Sequence, residues 1–242
     1  MRIIKCKDYA EASKVAGDIL SDAIACKPDI VLGLATGSSP IGIYKNLIQD
    51  YENKKISFRD VKTYNLDEYV GLGHECPQSY YYFMNDNLFK HVDIQKENVH
   101  IPFANPSDLK KSCEQYSKEL DKTVVDIQLL GIGANGHIGF NEPKTSFEQK
   151  TFIVNLTEKT REDNKRFFNS LDEVPTKAIT MGIAEIMKAK KIVLIATGKN
   201  KAEAMKQLLS KKITTDFPAS VLHMHKDVVV VTDEEALSLV NA

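Results

Sequence analysis

Six short apolar runs, each the length of a β-strand, alternate along this chain with segments of helical periodicity, and this alternation limits the fold more than any other feature. The runs are Ile30–Ala35, Val61–Leu66, Asp126–Leu130, Thr151–Leu156, Lys191–Ala196 and Val228–Thr232. Apolar strands separated by helices are typical of a mainly parallel sheet with helices on both faces. The sequence therefore predicts an α/β fold of this kind.

Four of the intervening segments are predicted to be helices. They are Pro40–Tyr51, Gln78–Phe89, Asp108–Leu120 and Asn200–Leu209. With 242 residues, no low-complexity linker and no fixed repeat, we expect a single domain over residues 1–242. Ligands of such folds bind beyond the carboxyl ends of the strands, so we expect functional residues in the loops that follow the strands.

The overall charge is close to zero, since 32 basic and 33 acidic residues give a net charge of -1. This balance offers no electrostatic footprint for nucleic acid or for a membrane surface. The N-terminus has Asp8 and Glu11 where a signal peptide needs its apolar core, and no apolar run approaches the roughly 18 residues of a membrane span. Four widely spaced cysteines form no C-x-x-C pair, which fits reduced thiols. We expect a soluble, cytoplasmic protein.

The segment from Leu129 to Pro143 reads LLGIGANGHIGFNEP and places four glycines, two Asn, a His and a Glu directly after an apolar strand. Glycines there permit turns and close approach of a ligand to the main chain. Gly131, Gly133 and Gly136 match the dinucleotide pattern G-x-G-x-x-G, but that pattern needs a helix opening inside it and an acid about 20 residues later. Neither is evident, so a nucleotide site is disfavoured. A glycine-rich turn with a structural His is another alternative.

Two strands end in the same three residues, Ala-Thr-Gly, at positions 35–37 and 196–198, and we expect both loops to face one ligand. The first loop continues through Ser38 and Ser39 into a helix, so that N–H groups, hydroxyls and a positive helix end converge where an anion can rest. It lacks the P-loop lysine, which favours a phosphate monoester over a triphosphate. After the second loop, Lys201 is placed to reach the same edge. An ordinary capped strand-to-helix turn is the alternative for the first loop.

Two adjacent acids, Asp67 and Glu68, follow the strand end in the segment NLDEY. Because side chains alternate along an extended chain, one of them is expected to point into the cleft and the other into solvent. A surface acidic pair that caps the next element is the alternative.

Taken together, five segments resemble in order and spacing the glucosamine-6-phosphate deaminases, also called glucosamine-6-phosphate isomerases. The segments are GLATGSSP, NLDEY, GIGANGHIGFNEP, Arg166-Phe167-Phe168 and ATGKNKA. The resemblance spans nearly the whole chain. The related 6-phosphogluconolactonases share the glycine-rich loop and the Gly-His that follows it. Their sequence there resembles GHxASLFP, whereas in this chain the His is followed by IGFNEP. The difference favours the deaminases.

The resemblance implies a Rossmann-like α/β fold that converts D-glucosamine 6-phosphate and water into D-fructose 6-phosphate and ammonia, without a metal or redox cofactor. In this chemistry one group must move a proton from the anomeric hydroxyl to the ring oxygen, and the imidazole of His137 suits that task. Glu142 is expected to hold this imidazole in the right tautomer and to stabilise its charged form, as the third member of a triad does. Asp67 is the candidate base that moves a proton between C2 and C1.

The resemblance also assigns further residues. The family has an acidic or amide residue where Asn135 stands, and here its expected role is to orient by hydrogen bonding. Arg166 and Lys201 match the family's phosphate-binding cations, which join the backbone of Gly37, Ser38 and Ser39. His223 and His225 are expected to share one face of a strand, but no third ligand accompanies them, so no metal site is expected.

Three functional classes stay open at this point: the deaminase, a sugar-phosphate lactonase, and a silent sugar-phosphate sensor that has kept the fold. The trio of Asp67, His137 and Glu142 argues against the sensor, since binding a sugar phosphate needs the anion loop but not that trio. The expected partner is a small amino sugar phosphate, and the chain is expected to be a monomer or a homo-oligomer. The short C-terminus, with the chain ending at Ala242, and the strand TFIVNL favour a non-allosteric enzyme.

Overall fold

Ten strands form two sheets in the computed structural model, which describes residues 1–104, 107–165 and 168–240. The strands are β1 (Arg2–Cys6), β2 (Val31–Leu34), β3 (Lys62–Asn65), β4 (Asp67–Tyr69), β5 (Val99–His100), β6 (Ile127–Leu130), β7 (Phe152–Asn155), β8 (Lys177–Thr180), β9 (Lys191–Ala196) and β10 (Val228–Asp233). Seven of them form a sheet in the order β1-β10-β9-β6-β2-β3-β5, and every neighbouring pair is parallel. The mainly parallel sheet expected from the sequence is confirmed.

Seven α-helices lie within the described residues. They are α1 (Tyr9–Cys26), α2 (Ile41–Glu52), α3 (Tyr80–Asn87), α4 (Leu109–Asp121), α5 (Glu158–Asn164), α6 (Ile183–Ile186) and α7 (Ala202–Leu209). Side chains cap several of them, since Asp8, Ser79, Asp108 and Thr157 each accept a backbone N–H from the first turn. The four helices predicted from the sequence are present with ends shifted by up to two residues, whereas α1, the longest, was not predicted.

Two hydrophobic cores form, one on each face of the large sheet, because the side chains of each strand alternate. In β9, Val193 and Ile195 pack into one core, while Ile192 and Leu194 pack into the other. The first core includes the buried faces of α1 and α2, and the second includes those of α4, α6 and α7. The large sheet is therefore covered by helices on both faces, as the apolar strand pattern predicts.

A second sheet, of three antiparallel strands in the order β4-β8-β7, is a feature that the sequence pattern did not indicate. The run Thr151–Leu156 does contain a strand, but β7 belongs to this small sheet and not to the parallel one. The chain passes from one sheet to the other at Leu66. The N–H of Leu66 donates to Leu34 O in the large sheet, and its carbonyl accepts from Met181 N beside the small one. Within the described residues, no helix is both long enough and apolar enough to span a membrane.

The expectation of a shared strand face for His223 and His225 is wrong. Residues Pro218–Met224 form a 3-10 helix, so strand alternation does not apply to these histidines. Nε2 of His223 lies 2.7 Å from Leu208 O, and Nε2 of His225 lies 2.7 Å from Ala189 O. Each ring therefore donates to a carbonyl of a neighbouring element, which is a structural role.

Candidate active site

A cleft of about 400 Å³ opens at the carboxyl ends of β2, β3, β6 and β9, where ligands bind in folds of this class. The loop after β2, the link from β3 to β4, the glycine-rich segment after β6 and the segment after β9 supply most of its wall. Two helices, α3 and α5, close the remaining side. The lining residues are Ala35–Ser39, Leu66, Asp67, Tyr80, Gly131–Ala134, His137, Gly139, Phe140, Thr160, Asn164, Asn200 and Lys201.

Most residues predicted for the site meet in this cleft. Those that line it are Gly37, Ser38, Ser39, Asp67, His137 and Lys201. Asn135 and Glu142 lie behind His137 and contact it or each other. Arg166 lies outside the described residues, so its role in phosphate binding stays a prediction.

Asp67 is the first residue of β4, and its side chain is only 5% exposed although it borders the cleft. Burial is the main cause that raises its pKa from 3.8 to about 8, and the neighbouring charge of Glu68 contributes to the same rise. The physical cause is that a carboxylate loses water in this position, so its protonated form is favoured. A carboxyl with a pKa near neutrality can both take and return a proton at working pH.

Glu68 is also buried, at 3% exposure, so the expectation that one of the two acids faces solvent is wrong. Alternation does turn the two side chains apart, but the second sheet and α3 cover the side to which Glu68 points. Its carboxylate accepts backbone N–H groups from Tyr69, Tyr80 and Tyr81. Burial raises the pKa of Glu68, and these three hydrogen bonds oppose the rise.

His137 is oriented by Asn135, not directly by Glu142. Nδ1 of His137 lies 2.7 Å from Asn135 Oδ1, whereas it is 3.9 Å from Glu142 Oε2. The Asn135 amide donates to Glu142 Oε2 over 2.8 Å, and Thr160 donates to the other carboxylate oxygen. Because a carboxylate only accepts, the amide of Asn135 must present its oxygen to the imidazole. A neutral His137 therefore carries its proton on Nδ1, which leaves Nε2 as the basic nitrogen.

Two glycines of the segment after β6 make this arrangement possible. A Cβ on Gly133 would lie 2.1 Å from Cε1 of His137, so the imidazole packs where a side chain would otherwise stand. Gly136 has a φ of +82°, and a Cβ there would meet Phe217 at 2.2 Å. No helix begins between residues 131 and 157, so the geometry of a dinucleotide fingerprint is absent from this stretch.

The predicted anion loop follows β2 and leads into α2. Gly37 has a φ of +95°, which turns the loop sharply over the cleft. The hydroxyl of Tyr9 donates toward the carbonyls of Ser38 and Ser39 and accepts the N–H of Gly42, so α1 braces the loop from behind. Braced in this way, the loop lines the cleft from Ala35 to Ser39.

The second Ala-Thr-Gly loop reaches the cleft differently from the expectation. Thr197 and Gly198 line a neighbouring hollow with Tyr9 and Asp233, while Asn200 and Lys201 line the cleft itself. Both carboxylate oxygens of Asp233 accept the N–H of Gly198, at 2.9 and 3.0 Å. This contact fixes the turn that carries Lys201 toward the loop after β2.

Sequence reasoning missed several residues of the cleft wall, above all Tyr80 and Thr160. Tyr80 follows a Ser N-cap in a segment that was predicted only as a helix, and Thr160 lies on α5, which was not predicted. Neither residue belongs to one of the segments that marked the site in the sequence, so no local signal singled them out. In the described residues, no three His, Cys, Asp or Glu side chains are grouped as metal ligands.

Known proteins resemble this chain in sequence and in fold. A model of the family described as glucosamine-6-phosphate isomerases/6-phosphogluconolactonase matches residues 9–231. The chain belongs to this family. A glucosamine-6-phosphate deaminase from Thermoanaerobacter sp. (strain X514) is 55% identical, and the match covers 99% of this chain and 95% of that protein.

Solved structures resemble the chain at two levels. A monomeric glucosamine-6-phosphate deaminase is 50% identical with a TM-score of 0.97, and the match covers 99% of this chain and 100% of that one. A 6-phosphogluconolactonase from Trypanosoma brucei is 18% identical with a TM-score of 0.78, covering 99% of this chain and 98% of that one. The second likeness shows a shared fold alone. The family resemblance seen in the sequence motifs is confirmed.

Replacing Gly133 by Ala should destabilise the protein, because the new methyl group overlaps the imidazole of His137. Overpacking of this kind costs about 1 to 3 kcal/mol. Gly131→Ala is the matched control, since a Cβ at Gly131 meets nothing within 4 Å. Chemical denaturation of both variants checks the prediction, and an equal loss of unfolding free energy in the two would contradict it.

Asp67→Asn should stabilise the protein, and the gain should grow as pH rises. Between about pH 4 and 8 the folded state retains a proton that the unfolded state has released, so wild-type stability falls through this window. The slope from one proton is at most about 1.4 kcal/mol per pH unit. Denaturation of wild type and variant at several pH values measures it. A gain that does not depend on pH would show that Asp67 is already ionised in the fold.

Proposed function

We propose that this chain catalyses the isomerisation and deamination of D-glucosamine 6-phosphate to D-fructose 6-phosphate and ammonia. The observation that carries the proposal is that one cleft holds a buried carboxylate with a raised pKa, an oriented imidazole and an anion loop. The high identity to relatives named glucosamine-6-phosphate deaminase supports it over the whole chain.

Ring opening is the first task, and His137 performs it. Nε2 of its imidazole takes the proton of the anomeric hydroxyl and then returns it to the ring oxygen, so that the C1–O5 bond breaks and an aldehyde forms. Asn135 keeps the proton of the neutral ring on Nδ1, so Nε2 is the nitrogen that can accept a proton. Glu142 supports the developing positive charge through Asn135, since its carboxylate is 3.9 Å from the imidazole.

Isomerisation is the second task, and Asp67 performs it. The aldehyde makes the C2 hydrogen acidic, and the carboxylate removes this proton and delivers it to C1. Its location in a water-poor part of the cleft wall suits the role, because a desolvated carboxylate is a stronger base than one in water. The protonated amino group at C2 passes one proton to O1, so that an iminium at C2 and a hydroxyl on C1 result. One water then hydrolyses the iminium to the ketone, with release of ammonia.

The phosphate group is held at the other end of the cleft. Residues Gly37, Ser38 and Ser39 supply N–H groups and hydroxyls at the start of α2, and Lys201 supplies a cation from the segment after β9. Arg166 is proposed as a second cation. Two cations on a dianionic group favour phosphorylated sugars over free ones, and no added cofactor is needed for any step.

A lactonase activity is the runner-up, because the fold is shared with 6-phosphogluconolactonases. Hydrolysis of a lactone needs a base for water but no proton transfer between C2 and C1, so it gives no role to a carboxylate placed like that of Asp67. The test is direct: purified protein is assayed for ammonia release from glucosamine 6-phosphate and for acid release from 6-phosphogluconolactone. Acid release without ammonia would replace the proposed function by the lactonase.

We further propose a monomeric, cytoplasmic, non-allosteric enzyme that binds no nucleic acid. The monomeric state is supported by the relative described as a monomeric deaminase, which matches this chain over its full length. The absence of nucleic-acid binding is supported by the net charge of -1. Light scattering of the purified protein tests the first point, and sigmoidal kinetics relieved by N-acetylglucosamine 6-phosphate would overturn the last.

Asp67→Asn should lower kcat on the order of a hundredfold or more while substrate binding persists, as for a lost general base. The amide keeps the size of the side chain but cannot accept the C2 proton. The readout is incorporation of solvent deuterium into carbon-bound positions of the product. A near-normal rate of incorporation in the variant would remove Asp67 from this role.

Lys201→Ala should raise KM for glucosamine 6-phosphate by about tenfold or more, since a charge-assisted hydrogen bond is worth about 1.5 to 3 kcal/mol. Part of the loss can fall on kcat if the phosphate also orders the cleft. Unphosphorylated glucosamine is the control, because it never makes the contact that the variant lacks. Equal proportional losses for both sugars would place the phosphate elsewhere.

A further inference from the structure

Glu68 is a buried acid that the proposed chemistry does not use. Its side chain is 3% exposed, and it makes three hydrogen bonds to backbone N–H groups. Oε1 accepts from Tyr69 at 2.8 Å and from Tyr80 at 2.9 Å, while Oε2 accepts from Tyr81 at 2.9 Å. A buried carboxylate is costly unless it is hydrogen-bonded, so these contacts are what keeps it there.

Two of these three donors are the first N–H groups of α3. The opening N–H groups of a helix have no partner within the helix and must find one outside it. In α3, Glu68 takes those of Tyr80 and Tyr81, and the N-cap Ser79 takes that of Tyr82 at 3.1 Å. The capping atoms on Glu68 come from β4, twelve residues earlier in the chain. Glu68 therefore ties the start of α3 to the strand that begins with Asp67.

This tie fixes Tyr80, which lines the cleft. Its ring stacks on that of Phe140 with centroids 6.1 Å apart and lies 4.7 Å from the ring of Tyr69. Its hydroxyl lies near the side chains of Thr36 and Tyr69, and Thr36 lines the same cleft. Tyr80 thus lies beside both the loop after β2, which is the proposed phosphate loop, and the segment that carries His137.

We infer that Glu68 is a positioning residue for the reaction: its carboxylate anchors the first turn of α3 to β4 and so holds Tyr80 between the phosphate loop and the segment of His137. The inference rests on the proposed function for its kinetic consequence. The anchor itself, and its effect on the anion loop, are properties of the fold and are measurable without turnover.

Glu68→Gln tests the anchor with little change in volume. A glutamine has one accepting oxygen, so its NH₂ group must face a backbone N–H and at least one hydrogen bond is lost. We expect kcat/KM for glucosamine 6-phosphate to fall about tenfold or more. Amide hydrogen exchange at Tyr80 and Tyr81 should become faster in the variant. Unchanged exchange at both amides would overturn the anchor.

Ser79→Ala is the matched control, because it removes another cap of the same helix without touching Glu68 or Tyr80. It should speed exchange at Tyr82 and lower kcat/KM by less than about threefold. A loss as large as that of Glu68→Gln would mean that any weakening of α3 has the same effect, and the special role of Glu68 would be wrong.

A double-mutant cycle shows whether Glu68 acts through Tyr80. Tyr80→Phe removes the hydroxyl that lies near Thr36 and should lower kcat/KM about fivefold. If Glu68→Gln already displaces the ring, the double variant should be no worse than Glu68→Gln alone. Losses that multiply within about twofold would show independent effects and overturn the inference.

Two further measurements keep the test decisive. If Glu68→Gln does not fold, Tyr80→Ala, which leaves the carboxylate and its backbone bonds in place, should reproduce the tenfold loss, and near-normal kcat/KM would overturn the inference. If the wild type releases no ammonia, the proposed function fails by itself. Calorimetry with inorganic phosphate then measures the effect of the anchor on the anion loop without turnover. Glu68→Gln should weaken phosphate binding about threefold, and Ser79→Ala should leave it unchanged. Equal affinity in both variants would contradict the inference.

Discussion

The backbone at Leu66 joins the two sheets of this protein, and the position of the active-site carboxylate depends on that joint. Leu66 donates its N–H to the last residue of β2 and accepts at its carbonyl from Met181, next to β8. The chain therefore leaves the parallel sheet after Asn65 and pairs with an antiparallel one from Asp67 onward. Both sheets cover the residues at this joint, so Asp67 is buried and still borders the cleft.

Burial of two adjacent acids at this joint opposes stability and favours chemistry. Desolvation raises the pKa of both carboxyls, and the charge of Glu68 contributes to the raised pKa of Asp67. Glu68 is compensated by three backbone N–H groups, which is why it can remain in the fold as a structural anchor. Asp67, by contrast, is held with a pKa of about 8, in the range that a proton-transferring group needs. Catalytic sites commonly hold groups in environments that lower the stability of the fold in this way.

The segment after β6 holds an imidazole in one tautomer through a hydrogen bond to a neutral amide, with the carboxylate of Glu142 3.9 Å away. Asn135 stands between His137 and Glu142, and Thr160 holds the far oxygen of that carboxylate. The neutral amide of Asn135 sets the orientation of the His137 ring, and the negative charge of Glu142 lies on the far side of that amide. Thr160 also brings α5 against the cleft, so this chain of contacts connects the imidazole to a helix far along the sequence.

The sequence by itself determined the parallel sheet, its helical cover and the loops that carry the site. Apolar runs such as Lys191–Ala196 mark buried strands, and glycines such as Gly37 and Gly136 mark turns that no other residue makes easily. Only the tertiary structure decided which side of each local element is covered. Glu68 follows the alternation rule, but the side to which it points is closed by α3 and the small sheet. Burial depends on elements distant in sequence, and a local pattern carries no record of them. For the same reason Tyr80 and Thr160, which enter the cleft from helices, were found only in the fold.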